Sequence, residues 1–239
     1  MKKVVSRLLS IDIVALFLFL LVLWGPSVQS AYGDSGIQAR QLVEKARMTV
    51  ESFASAREME GFRSLMKDAR GVFVSPQILR GAFIFGASGG SGVFMVRDRH
   101  RGDWAGPAFY TIGGASFGFQ IGGEASEVIF LAMTERGVTA LLSSSVKLGA
   151  DVGIAVGPVG IGADASTANL SADIITFSRS KGLYGGVSLE GAIVKVREGL
   201  NNAYYVKDVT PSDILISRSV ENDHSAGLKS VLSKTAGGR

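Results

Sequence analysis

Apolar positions recur every three to four residues from 37 to 69 and every second residue from 71 onward, which divides the chain into a helical lead and a β body. Leu42, Ala46, Val50 and Phe53 share one helix face, and Phe62, Met66 and Ala69 continue the period. Ser55 and Glu58 stand three apart as a capping-box signal, and Gly61 weakens continuity. The spacing therefore predicts two helices, over 37–54 and 56–69, with a bend between them. Arg40, Lys45, Arg47, Arg57, Arg63 and Lys67 alternate on the polar faces with Glu44, Glu51, Glu58, Glu60 and Asp68. That mixture suits a solvated face of helices packed on a sheet. It suits less well an element lying on lipid, which needs a basic bias beside its apolar face.

Short strand-like runs follow at 72–75, 82–85, 93–96 and 108–112, and 116–122 alternates cleanly. Residues 128–133 are continuously apolar, as in a strand buried on both faces. A short helix is expected over 135–142 with Thr134 as N-cap. Alternation over 146–156 and 159–166 predicts two long strands joined by a tight turn at Gly157-Pro158. One face of that pair is nearly free of side chains, which marks a close approach by a helix, another strand layer or an acyl chain. Further strands are expected at 174–178 and 187–196. A short helix starts at Thr210-Pro211 and ends near Ser217. The polar tail, 219–239, reads as disordered. The fold class that results is α+β: a glycine-rich, curled antiparallel β-sheet or partly closed barrel, with the N-terminal helices packed to one side.

The N-terminus changes the compartment. Lys2, Lys3 and Arg7 precede an apolar run, Ile13 to Leu23, then Gly25-Pro26 and small residues. This is the make-up of a secretory signal peptide over residues 1–30, with cleavage expected before Ala31. The run is short for a membrane span. An exported protein, periplasmic or secreted and peripherally membrane-associated, is the expectation, with a single domain over 31–218. The chain carries 25 basic and 21 acidic residues. Lys2, Lys3, Arg7 and Asp12 lie in the leader, so the remainder is nearly balanced. Bulk nucleic-acid binding, which needs a broad basic footprint, is not expected. The absence of cysteine excludes disulfides and thiolate metal sites.

Motifs for catalysis are present only in fragments. Gly86-Ala87-Ser88-Gly89-Gly90 matches G-x-S-x-G, but that elbow must lead from a strand into a helix, and here a strand follows. Of the two histidines, His100 lies in a loop and His224 in the tail, so neither is a well-held base. The segment reads as a glycine-rich hairpin turn. Gly160-x-Gly162-x-x-Ala165 lacks the βαβ context of a dinucleotide site. Asp151, Asp164 and Asp173 have no calcium-loop spacing. No enzyme, cofactor or metal is expected.

Two basic turns are more suggestive. Arg97, Arg99 and Arg101 stand with Trp104 in a loop between strands. A tryptophan suits the membrane–water boundary and an arginine holds phosphate by paired N–H bonds. The alternative is a Trp104 folded back on the sheet beneath solvated arginines. Arg179 and Lys181 occupy a second turn whose Gly182 lets backbone N–H groups face an anion.

Segments spread over residues 40–200 resemble, in order, the SYLF lipid-binding domain family. They are Gly61–Gly71 (GFRSLMKDARG), Val72–Pro76 (VFVSP), Gly81–Gly86 (GAFIFG), Gly89–Val93 (GGSGV) and Trp104–Tyr110 (WAGPAFY). Gly118–Gly122 (GFQIG), Lys147–Asp151 (KLGAD), Gly157–Gly160 (GPVG) and Ser178–Gly191 (SRSKGLYGGVSLEG) complete the series. The resemblance implies a non-catalytic phospholipid-binding module. Its eukaryotic members bind phosphoinositides, and some bind actin, ligands that an exported chain would not meet. It places the lipid-surface role on Arg80, Arg97, Trp104, Arg179 and Lys181, to which the loop reading adds Arg99 and Arg101. The expected partner is an anionic phospholipid membrane surface. The alternative is an envelope structural or assembly role, with the glycine-rich sheet packed on a protein partner.

Overall fold

The computed structural model describes residues 28–82, 85–98, 100–117, 122–160, 171–180, 182–185 and 189–237. The chain divides into two compact units, Met1–Asp34 and Ser35–Arg239. Of the first, residues 28–34 are described and are helical, and the signal-peptide reading lies almost wholly outside the described residues. The architecture below is that of the second. Among the described residues no helix is long and apolar enough to cross a membrane.

The helical lead is α1 (Val28–Ser55), a 3-10 turn (Arg57–Met59) and α2 (Glu60–Met66). The predicted bend falls at Ala56, whose backbone is extended. The expected capping box does not form: the Ser55 hydroxyl donates back to the Ser52 carbonyl instead. Arg63 closes the break, donating to the carbonyls of Ala54 and Ala56 at 3.2 and 2.5 Å. These carbonyls are among the acceptors that a helix end leaves open.

Four long strands form the centre: β1 (Gly71–Ala82), β2 (Phe85–Arg97), β3 (Trp104–Phe117) and β4 (Gly122–Ala132). They absorb the short runs expected at 72–75, 93–96, 108–112 and 128–133, whereas those expected at 82–85 and 116–122 fall where one strand ends and the next begins, and 83–84 and 118–121 lie outside the described residues. β1 continues through Pro76 because its register shifts there against both neighbours, so the missing N–H falls in a bulge. The Ser75 hydroxyl closes that bulge by donating to the Ser91 carbonyl at 3.0 Å. After β4 come α3 (Glu135–Leu142), β5 (Ser145–Lys147), β6 (Ile154–Val156), β7 (Ile174–Ser180), β8 (Leu183–Gly185) and β9 (Ile193–Val196). The sheet order is β5-β9-β3-β2-β1-β4-β7-β6, with β8 beside β7. All pairings between these strands are antiparallel except β6 on β7.

The clean alternation over 146–156 was misleading. Asp151 accepts from the Lys147 N–H at 2.7 Å and Gly149 sits at φ 81°, so residues 147–152 form a turn, not a strand. The first expected long strand, 146–156, is split into short β5, which pairs with β9, and β6, which runs parallel to β7. Residues 161–170, which carry most of the second strand, lie outside the described residues.

Three helices follow β9: α4 (Glu198–Tyr205), α5 (Pro211–Leu215) and α6 (Ala226–Thr235). α5 starts as expected, with Thr210 and Asp213 in a reciprocal capping box. α6 corrects the reading of 219–239 as a disordered tail, since Leu228 and Leu232 are buried in the core. The core has two halves, one on each sheet face. α1, α2, α4 and α6 cover Val72, Val74, Val93, Met95, Ile129, Leu131, Ile175 and Phe177. α3 and α5 cover Phe73, Phe94, Tyr110, Phe130 and Ile174. Helices thus lie on both faces, because the β strands bury apolar side chains on both. The α+β class stands, and the N-terminal helices α1 and α2 pack to one side as expected; the helices on the other face, α3 and α5, come from later in the chain.

Candidate functional site

The loop between β2 and β3 is held shut by its own charges. Asp98 accepts the backbone N–H groups of His100 and Arg101 at 2.8 and 3.1 Å. Those bonds, Arg101 first, hold the Asp98 carboxyl below its usual range. Arg218, just beyond α5, donates to both Asp103 carboxylate oxygens at 3.0 and 2.9 Å and stands 3.7 Å from Asp98. Arg97 pairs across the strands with Trp104, its guanidinium 6.0 Å from the ring centroid, and donates to the Lys67 carbonyl at 2.8 Å.

Trp104 itself is 2% exposed and belongs to the helix-covered core. The expectation of an interfacial Trp104 is therefore corrected: the ring faces inward, and the cross-strand Arg97 caps it. Trp24 is the other tryptophan, so a Trp24→Phe variant reports Trp104 alone. Its emission is expected to be blue-shifted in buffer and to stay in place when anionic vesicles are added. A maximum typical of an exposed indole, or a shift on vesicle addition, would contradict the burial.

Arg179 is also committed. It forms an ion pair with Glu127 on β4 and donates to Ser52 Oγ of α1 at 2.6 Å, with the Tyr184 ring 5.6 Å away. Burial alone would lower the Arg179 pKa, but Glu127 and Tyr184 together outweigh it and the net shift is upward. Thr49 of α1 donates to the other Glu127 oxygen at 3.2 Å. The cluster fastens α1 to β4 and β7, and its cation is satisfied.

Of the remaining expected residues, Arg101 is exposed and has no ion pair among the described residues. Arg80 stands in β1 opposite Ser88 and Glu124. Arg99 and Lys181 lie outside the described residues. Among the described residues the two basic turns do not join into one site. The Gly86–Gly90 segment, expected to be a hairpin turn, is instead interior to β2 and paired on both sides; Ser88 donates to the Gly114 carbonyl at 3.3 Å. Asp173 accepts from Thr134 Oγ1 at 2.6 Å and from Gly153 N–H at 3.1 Å, tying α3 to the start of β7. No group of three potential metal ligands occurs among the described residues.

The concave feature with free cations lies elsewhere, between α1, β1, β2 and the residue before α4. A groove of about 300 Å³ is lined by Gln38, Gln41, Leu42 and Lys45 from α1. Pro76, Gln77, Leu79, Gly89, Gly90 and Ser91 line it from the sheet, and Arg197 closes one side. Arg197 donates to Ser91 Oγ at 2.7 Å and to Gln38 Oε1 at 3.2 Å. Neither Arg197 nor Lys45 has a carboxylate partner among the described residues, whereas Glu44 and Glu51 are both held by Arg47. Ile37 and Met48 on α1 and Leu79 on β1 are each more than half exposed. Residues Ile37, Gln41, Lys45 and Met48 follow at helical spacing, so cation and apolar side chains share one stripe. The sequence carried a sign of this. No acidic residue stands three or four positions from Lys45, while Arg47 has one on each side.

With that geometry in place, comparison with known proteins is informative. Residues 113–235 match the Ysc84 family, described as "Las17-binding protein actin regulator". The human "SH3 domain-containing YSC84-like protein 1" is 34% identical over 140 residues, covering 58% of this chain and 41% of the human protein. "Protein YSC84" of Saccharomyces cerevisiae is 30% identical over 185 residues, 73% of this chain and 39% of the yeast protein. "LAS seventeen-binding protein 3" from a second strain of that yeast is 30% identical over 184 residues, covering 73% and 40%. The chain spans about two fifths of the length of the curated relatives it matches.

Proposed function

The chain belongs to the Ysc84 family, and from that premise we propose that it is a non-enzymatic phospholipid-binding domain acting at the cell envelope. The observation that carries this reading is the stripe on α1 and β1. Exposed Ile37, Met48 and Leu79 border Lys45 and Arg197, whose charges no carboxylate neutralises among the described residues. Apolar side chains that enter an interface beside cations that meet anionic headgroups give reversible surface binding. Each cation near an anionic surface contributes about 1 kcal/mol. The arrangement replaces Trp104 and Arg179 as the contact and retains exposed Arg101 as an accessory charge. The basic leader and short apolar run support export to a periplasmic or extracellular location.

Co-sedimentation of the purified protein with phosphatidylglycerol vesicles is expected at low salt and to weaken at high salt, since exposed charges are screened. Pure phosphatidylcholine vesicles should retain much less. Equal, negligible retention on both would end the lipid reading.

A second reading is favoured by the relatives' names, which record Las17 binding. On the outer part of the sheet face beside α1, exposed Leu79 stands between Gly89 and Ala125, which are also exposed and carry little or no side chain. A protein element could pack there in an envelope assembly role. In-cell cross-linking that returned one stoichiometric protein partner, together with no vesicle binding, would favour it.

A further inference from the structure

We infer that the α1–β1–β2 groove is a receptor for a single phosphate group, and that its occupant is the phosphodiester of a phospholipid headgroup. This rests on the lipid reading and adds a defined, saturable site to it.

Arg197 is positioned for this task. Ser91 Oγ and Gln38 Oε1 each take one of its N–H groups, on different terminal nitrogens. A guanidinium has five N–H donors in a fixed fork. Two are used to orient it and three remain for a ligand. Both orienting partners are neutral, so the positive charge is undiminished. Gln41 and Lys45 reach the same groove from the next turn of α1 and supply an amide donor and a second cation. Phosphate, with several acceptor oxygens, matches such a convergent set of donors.

The floor leaves room. Gly89 faces open space: a Cβ built there would meet only the Ile112 carbonyl, at 4.0 Å. Apolar Leu42, Pro76 and Leu79 also line it. The groove thus combines cationic and apolar lining, as a phosphodiester and its glycerol carbons require.

Nearby cationic hollows do not compete. The depression under Pro76, Ala125 and Gly182 contains Arg179, but Glu127 already occupies that guanidinium. The one beside α3 contains Arg136, which stands 3.7 Å from Asp173 and donates to the Asp151 carbonyl at 3.3 Å. An anion entering either would meet a carboxylate.

The test uses two probes, sn-glycerol 3-phosphate by titration calorimetry and phosphatidylglycerol vesicles by co-sedimentation. Lys45→Gln and Arg197→Gln are each expected to weaken glycerol phosphate binding about tenfold or more, and to reduce vesicle retention in parallel. Arg197→Lys should not restore binding, because the fork geometry is lost. Arg197 also ties β2 to α1, so Gln41→Glu provides a check at an exposed position whose side chain makes no hydrogen bond among the described residues. It should weaken both readouts by introducing a carboxylate, with an unchanged melting temperature. Lys195→Gln, an equal charge loss at an exposed site outside the groove, should leave glycerol phosphate binding unchanged.

Vesicle binding that persists in Lys45→Gln and Gln41→Glu would overturn the groove and leave the lipid reading standing. Groove-dependent glycerol phosphate binding without vesicle retention would overturn the lipid source and leave a soluble phosphate ester as the ligand. Failure of both probes with the unsubstituted protein would overturn both.

Discussion

Removing residues 219–239 is expected to lower the thermal midpoint by roughly 10 °C or more, and to raise binding of a dye that reports exposed apolar surface. Leu228 and Leu232 of α6 are 1% and 0% exposed and pack with α1 and α4 residues in one core cluster. Burying each contributes about 1.5–3 kcal/mol. The segment before α6 adds to this, since Asn222 donates to the Tyr204 carbonyl at 2.8 Å and His224 meets the Tyr204 ring edge-on. Tyr204 in turn packs against Phe109 of β3, with ring centroids 5.0 Å apart, so the loss reaches the sheet. Differential scanning calorimetry of the truncated and full chains gives the answer. An unchanged midpoint would mean that α6 does not contribute to the core.

That helix illustrates what the sequence allowed and what it hid. Leu228, Val231 and Leu232 stand at spacings of three and one, which is a helix stripe, but a sparse one among Ser, Lys and Gly. The polarity of the surrounding residues masks it, although two leucines suffice when a core lies waiting. α4 was missed for a similar reason: Leu200 and Tyr204, four apart, follow a charged Arg197-Glu198-Gly199 segment. The helical lead, parts of the central strands, the Thr134 cap and the Thr210-Pro211 helix start were legible because each rests on local spacing. The fate of 146–156 was not, because period-two alternation does not distinguish a strand from a turn in which Asp151 bonds back to Lys147.

The site was harder for a physical reason. Arg97 and Trp104 sit seven residues apart with arginines between them, a pattern that fits a membrane loop. Cross-strand pairing sets them side by side, and the direction in which the ring points follows from which face the helices cover. Likewise Arg179 looks free until Glu127, 52 residues earlier, arrives from the neighbouring strand. Whether a cation is free depends on partners distant in sequence. Lys45 was an exception, because on a helix its potential partners are fixed by i±3 and i±4 spacing and all were neutral.

Replacing Gly92 by Ala is expected to destabilise the protein by about 1–3 kcal/mol or more, whereas Gly89→Ala, three residues away in the same strand, should change stability by no more than about 0.5 kcal/mol. The contrast separates two kinds of glycine in one run. A Cβ at Gly92 would stand 2.5 Å from the Phe73 ring and 2.7 Å from the Val74 carbonyl oxygen. The carbonyl belongs to the backbone of β1 and cannot turn aside. The ring cannot either, since Phe73 stacks on Phe130 at 5.0 Å and meets Tyr110 edge-on at 6.2 Å. Any shift that admits the methyl must therefore move β1 against β2 beside the bulge, where their register already changes. Gly89 has no such neighbour and borders the groove. Urea denaturation of the two variants decides the matter, and equal midpoints would refute this division. If Gly89→Ala proves as stable as expected yet binds glycerol phosphate less well, glycine there serves access to the groove and glycine at 92 serves the close contact of two strands.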